Sequence, residues 1–190
     1  PARGESRARP ATLRAMPWIP YVRVTLESLL SPDEMRQRLA ASLTSPTLRF
    51  GDVERPRTPF YGSVSPDGFT AWKVIRYRNS FVPVARGRWR VEGRATHVDL
   101  RLTLHPFVLY FMTIWISLPL FSDVVLTVAA LARGHLTPVV LIPLAFAAAG
   151  YALATAGFRW EYRDTIAQLA ACLDARVIWP DGAAPDPFDR

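Results

Sequence analysis

Between Phe107 and Phe158 the chain holds 52 residues with two formal charges, Asp123 and Arg133, among Leu, Val, Ala and Phe. A soluble domain of this size needs more polar positions to cover its surface, so the stretch is expected in lipid. Arg133-Gly134-His135 divides it. Leu136 to Phe158 is 23 residues without a charge, about 34 Å as helix, which crosses a hydrocarbon core of roughly 30 Å with some tilt. Phe107 to Ala132 is 26 residues and carries Pro119 and Asp123. Phe107 to Ser122 alone reaches only about 24 Å, so either Asp123 lies at the far interface or the helix continues past a kink at Pro119. Both versions predict a transmembrane helical hairpin over 106–158. Its turn is too short to hold a domain, which places the two flanking regions on one side of the bilayer.

Charge says which side. Residues 1–106 hold 18 basic and 9 acidic residues, and residues 159–190 hold 4 arginines and 6 acids. Close to the spans, Arg86, Arg88, Arg90, Arg94, Arg101, Arg159 and Arg163 stand against Arg133 in the turn. The positive-inside rule therefore predicts both termini in the cytoplasm. Residues 1–20 read as a flexible arginine-rich arm without an apolar signal region, in which Met16 is one candidate start.

Residues 21–105 read as a folded cytosolic domain. Val22, Val24 and Leu26 alternate with Arg23 and Thr25, the pattern of a half-buried strand. Ser31-Pro32-Asp33-Glu34 is a capping box with proline at the first helical position, and Met35, Leu39 and Leu43 give the helix an apolar face. A short strand is possible over Leu48–Val53. Strands are expected at Phe60–Val64, Phe69–Tyr77, Phe81–Val84, Gly87–Glu92 and Ala95–Leu104, with Val98, Leu100, Leu102 and Leu104 facing inward. The predicted fold class is α+β: a mainly antiparallel domain with one covering helix, then the two-helix hairpin, then an amphipathic helix at 159–176. That last helix, with Tyr162, Ile166, Leu169 and Leu173 on one stripe, is expected to pack back on the β domain, with the headgroup plane as the alternative. Residues 177–190 read as a flexible tail.

The segments Phe60-Tyr61-Gly62-Ser63-Val64, Gly68-Phe69, Arg76-Tyr77-Arg78-Asn79-Ser80-Phe81-Val82-Pro83-Val84 with Gly87, and Arg101-Leu102-Thr103-Leu104-His105-Pro106-Phe107-Val108 up to Trp115 carry a resemblance. Together they resemble a group of small bacterial membrane proteins that join a β-rich N-terminal region to two spans. A looser similarity is to bacterial pleckstrin-homology-like domains tethered to short transmembrane hairpins. The resemblance implies a multi-pass protein of the bacterial inner (plasma) membrane and brings no catalytic residues with it.

Candidate binding residues are Arg76, Arg78, Arg86, Arg88 and Arg90, interleaved with Tyr77, Phe81 and Trp89. Basic residues with aromatics can hold single-stranded nucleic acid. Beside an anionic leaflet, however, each cation gains about 1 kcal/mol, and the tether to the spans makes lipid headgroups the expected partner. Plain solvated strand faces are the bland alternative, since 22 of the 23 basic residues are Arg. Asn79, the sole asparagine, suits a tight turn and is otherwise a candidate ligand contact. Asp123 is the intramembrane polar candidate, or with Ser122 it caps an interfacial helix. His97 and His135 have no partner at metal-ligand spacing and the single Cys172 reads as a packed small hydrophobe, so no metal and no cofactor are expected, while His105 reads as an interface anchor. The function predicted is a non-enzymatic binding or scaffolding domain apposed to anionic headgroups, with a protein partner or homo-oligomer also possible. The alternatives are a pore or transporter subunit using Asp123 and a membrane-bound enzyme acting on lipid.

Overall fold

The computed structural model of the chain describes residues 20–45, 58–75, 77, 79–135 and 137–179. Strand β1 (Tyr21–Ser28) buries Val22, Val24 and Leu26 on one side and leaves Arg23, Thr25 and Glu27 half-buried on the other. Ser31 closes a capping box: its hydroxyl oxygen accepts the Glu34 N–H at 3.3 Å, and Glu34 Oε2 accepts the Ser31 N–H at 2.9 Å. The Ser31 N–H, together with the Ser31 hydroxyl that donates to the same Oε2 at 2.7 Å, holds the exposed Glu34 carboxyl below the usual carboxylate range. Helix α1 (Pro32–Ser42) opens there and buries Met35 and Leu39. Strands β2 (Leu43–Thr44), β3 (Phe60–Ser65), β4 (Gly68–Lys73), β5 (Val84–Glu92) and β6 (Ala95–Thr103) precede helix α2 (Pro106–Ala132). A 3-10 turn at Pro138–Val140 leads into helix α3 (Leu141–Cys172), followed by β7 (Arg176–Ile178).

The strands lie in the order β2-β3-β4-β5-β6-β1-β7. Neighbours are antiparallel except β2 and β3, which run parallel. Among the described residues the fold is therefore α+β with a mixed sheet of seven strands and three helices. On its inner face Val22, Val24, Leu26, Phe69, Ala71, Val98, Leu100 and Leu102 meet Met35 and Leu39 of α1 and Phe158, Ile166, Leu169 and Leu173 of α3. Two helices, α1 and the C-terminal part of α3, cover that face. Cys172 joins them, its Sγ lying 3.2 Å from Ser42 Oγ.

The division between a second span ending at Phe158 and a separate helix at 159–176 is absent, because α3 runs unbroken through that point. No proline stands between Pro143 and Pro180 to stop it. It ends where Asp174 takes a φ of 46°, a left-handed residue that breaks helical hydrogen bonding. Arg176, the last residue of the expected helix, and residues 177–178 of the expected tail pair with β1. The possible strand at 48–53, the arm before residue 20 and residues 180–190 lie outside the described residues.

The expected Phe81–Val84 strand is also absent. Val84 opens β5, while Phe81 to Pro83 is irregular. Pro83 has no N–H for a ladder, and Phe81 turns its ring toward α3, where a Cβ on Gly157 would stand 2.9 Å from Phe81 Cδ2. Gly87 then continues the strand because the Phe69 ring of the paired β4 lies over it, and a Cβ there would stand 2.2 Å from Phe69 Cε1. The ring supplies the packing that glycine lacks. Gly87→Val is expected to drive the ring out of the core and destabilise the domain by roughly 1–3 kcal/mol, read as a lower thermal midpoint of the full chain in mild detergent.

Helices α2 and α3, the latter with its leading 3-10 turn, are long and apolar enough to cross a membrane, and their most apolar windows are 0% and 11% buried. They lie against each other where the Trp115 ring meets Phe146 at 5.2 Å between centroids and covers Gly150, whose absent Cβ would stand 3.1 Å from Trp115 Nε1. Hydroxyls along α2 bond back one turn: Thr113 to the Leu109 carbonyl at 2.8 Å, Ser117 to Thr113 at 2.6 Å and Ser122 to Leu118 at 3.0 Å. Such internal satisfaction suits a helix without water around it.

Candidate functional site

Strand alternation and register decide which cations share a face. Arg86, Arg88 and Arg90 all point to the outer, exposed face of β5. Arg86 stands opposite Arg101 of β6, and Arg101 opposite Arg23 of β1. Three arginines thus form one row across three adjacent strands, about 10 Å end to end. Thr70 of β4 and Ser63 of β3 continue the row. No acid stands in it, and among the described residues none of the three arginines is in an ion pair.

The rows farther from α2 each contain an acid. Thr25, Asp99 and Arg88 form one, and Arg176, Glu27, His97 and Arg90 the next. Arg90 reaches Glu92 at 3.1 Å and Asp99 at 3.9 Å, and His97 Nε2 lies 3.8 Å from Glu92. On the outer face, the row nearer α2 is therefore the one that holds arginines and no acid.

One row closer still stand Tyr21, Thr103, Val84, Trp72 and Tyr61, with the Tyr61 and Trp72 rings stacked at 6.2 Å. From this edge the chain enters α2 through His105, whose Nδ1 accepts the Phe107 N–H at 3.2 Å. A cavity of about 610 Å³ opens at the junction. Trp72 and Val84 of the sheet, Phe81 and Val82 of the irregular segment, and Phe107, Val108 and Phe111 of α2 line it, with Ser80 and His105 as its polar members. Its size falls in the roughly 300–1,000 Å³ range of small-molecule pockets.

Of the sequence candidates, Arg86 belongs to the row without an acid, while Arg88 and Arg90 lie in the mixed rows. Arg76 and Arg78 lie outside the described residues. Asn79 Oδ1 accepts the Phe81 N–H at 2.9 Å, a turn-forming bond. Asp123 is half-buried inside the continuous helix α2, so the capping alternative falls: Ser122 bonds back to Leu118 instead of opening a helix. Asp123 is about 26 Å along the axis from Pro106, and no hydrogen bond or ion pair to it is present among the described residues. Arg23 and Arg101 were missed as site residues. Each occupies a polar position in an alternating strand, but only the pairing register brings them beside Arg86.

A second polar cluster lies on the inner face. Lys73, the sole lysine, ends β4 with its Nζ 3.4 Å from Glu161 Oε2 and hydrogen-bonded to Asp164, both on α3. Glu161 is 1% exposed and its Oε1 has no partner among the described residues. Burial opposes the Lys73 charge, but the Asp164 hydrogen bond and both carboxylates outweigh it and raise the lysine above its ordinary pKa. The same Lys73 bond, helped by Gln168, holds Asp164 below its ordinary value. The cluster clamps α3 to the sheet.

Compared with known families, curated proteins and solved structures, the chain gives no match.

Proposed function

We propose that the protein is a two-span protein of the bacterial inner membrane, of the kind residues 60–115 resemble, whose β domain is a non-enzymatic module held against the anionic cytoplasmic leaflet. The single observation that carries this is the Arg23–Arg101–Arg86 row. Like charges directly opposite on neighbouring strands destabilise a sheet, so a row of three with no acid calls for anions from outside. Its place favours lipid as their source. Arg101 is five residues from Pro106, at most about 18 Å of chain, and α3 holds the domain to the apolar helices through an unbroken rod. Each cation near an anionic surface gains about 1 kcal/mol within a Debye length of roughly 8–10 Å. The apolar faces of α2 and α3, left unburied within the chain, need a cover that lipid tails provide.

The test uses the full chain with Cys172→Ala and Ser63→Cys, an exposed position in the same row, in nanodiscs of phosphatidylcholine with or without phosphatidylglycerol. A membrane-impermeant maleimide is expected to alkylate Ser63→Cys more slowly on anionic discs, and the difference is expected to vanish at high salt. Equal rates on both lipids at low salt would contradict surface apposition.

A further inference from the structure

We infer that the outer-face edge of the sheet holds a discrete site for one anionic phospholipid, its phosphate on Arg86 and Arg101 and an acyl chain in the cavity beside α2. The inference rests on the membrane reading above but is sharper than it, since diffuse attraction needs no cavity and no particular arginine. Two observations meet at one place. Val84 lines the cavity and precedes Arg86 by two residues on the same strand face, a separation of about 6.6 Å. Arg101 stands directly opposite Arg86. The cavity continues onto Phe107, Val108 and Phe111 of α2, so an amphiphile entering from the apolar helices meets aromatic and aliphatic walls first and two guanidinium groups next. A phosphate between two arginines takes charge-assisted and potentially bidentate hydrogen bonds. A soluble phosphate would use only half of the arrangement, and a neutral lipid would leave the cation row unmatched.

The site is tested by native mass spectrometry of the delipidated full chain in mild detergent, titrated with phosphatidylglycerol, phosphatidylcholine or glycerol phosphate. One phosphatidylglycerol per chain is expected to bind, with phosphatidylcholine at least roughly tenfold weaker and glycerol phosphate unable to compete. Arg86→Gln is expected to weaken phosphatidylglycerol by roughly tenfold, whereas Arg90→Gln, an equal change of charge in a row that contains an acid, leaves it unchanged. Val108→Trp, which fills the cavity without touching charge, is expected to abolish the bound lipid. Ser80→Trp, on the exposed rim, serves the same purpose if Val108→Trp does not fold. Equal losses from Arg86→Gln and Arg90→Gln would overturn the site while leaving surface apposition standing. Undiminished binding in the cavity variants would also overturn it, as would competition by glycerol phosphate.

Discussion

Replacing Lys73 with methionine is expected to lower the stability of the full chain by about 3–5 kcal/mol, a drop of roughly 10 °C in thermal midpoint for a chain of this length. The cause is what remains behind. Glu161 is 1% exposed, its Oε1 has no partner among the described residues, and Lys73 Nζ is a cation beside its other oxygen. Removing the lysine leaves a buried carboxylate with no compensating charge, which costs far more than the pair itself contributes. The double variant Lys73→Met/Glu161→Leu is accordingly expected to recover most of the loss, because apolar groups of similar volume replace a buried pair nearly neutrally. Thermal unfolding of the four variants in one detergent checks this as a double-mutant cycle; a Lys73→Met midpoint equal to the parent's would contradict it. The titration signs follow. Asp164, depressed in the folded state, contributes stability above the ordinary Asp value near ~3.9 and loses it as pH falls through its lowered value. Lys73, raised in the folded state, contributes below the ordinary Lys value near ~10.4 and loses it as pH climbs through its raised value. Stability from the clamp is therefore expected to be flat between these limits.

Replacing Arg23, Arg86 and Arg101 together with threonine is expected to act in opposite directions on stability and on membrane association. Relief of like charges across β1, β6 and β5 is expected to stabilise the domain by roughly 0.2–1 kcal/mol, a small rise in midpoint. Loss of three cations near an anionic surface removes about 3 kcal/mol, a shift of roughly 150-fold between apposed and free states. The alkylation rates of Ser63→Cys on neutral and anionic discs are then expected to become equal. A lower midpoint together with retained protection on anionic lipid would show that the row serves folding instead.

Local signals were legible where one short stretch decides the structure. The alternation of Val98, Leu100, Leu102 and Leu104 with Asp99, Arg101 and Thr103 defines β6, and Ser31 and Glu34 form the reciprocal cap that opens α1. Features set by tertiary partners were not. The strand expected to begin at Gly87 begins at Val84, because the Phe69 ring covers the glycine and the strand runs through it. The change from apolar to charged residues at Arg159 looks like a boundary, yet a helix crosses it, since a change of solvent does not require a change of backbone. The Arg23–Arg101–Arg86 row needs the register of three strands. The Lys73–Glu161 contact joins residues 88 apart, and its one visible trace was a lone lysine in an arginine-rich chain.

The central claim is that α2 and the N-terminal half of α3 are solvated by lipid and hold the sheet at the membrane surface. Alkaline washing of membranes from cells expressing the full chain, followed by ultracentrifugation, tests it most directly. The protein is predicted to remain in the pellet after the wash and to enter the supernatant only with detergent; release by the alkaline wash alone would contradict the account.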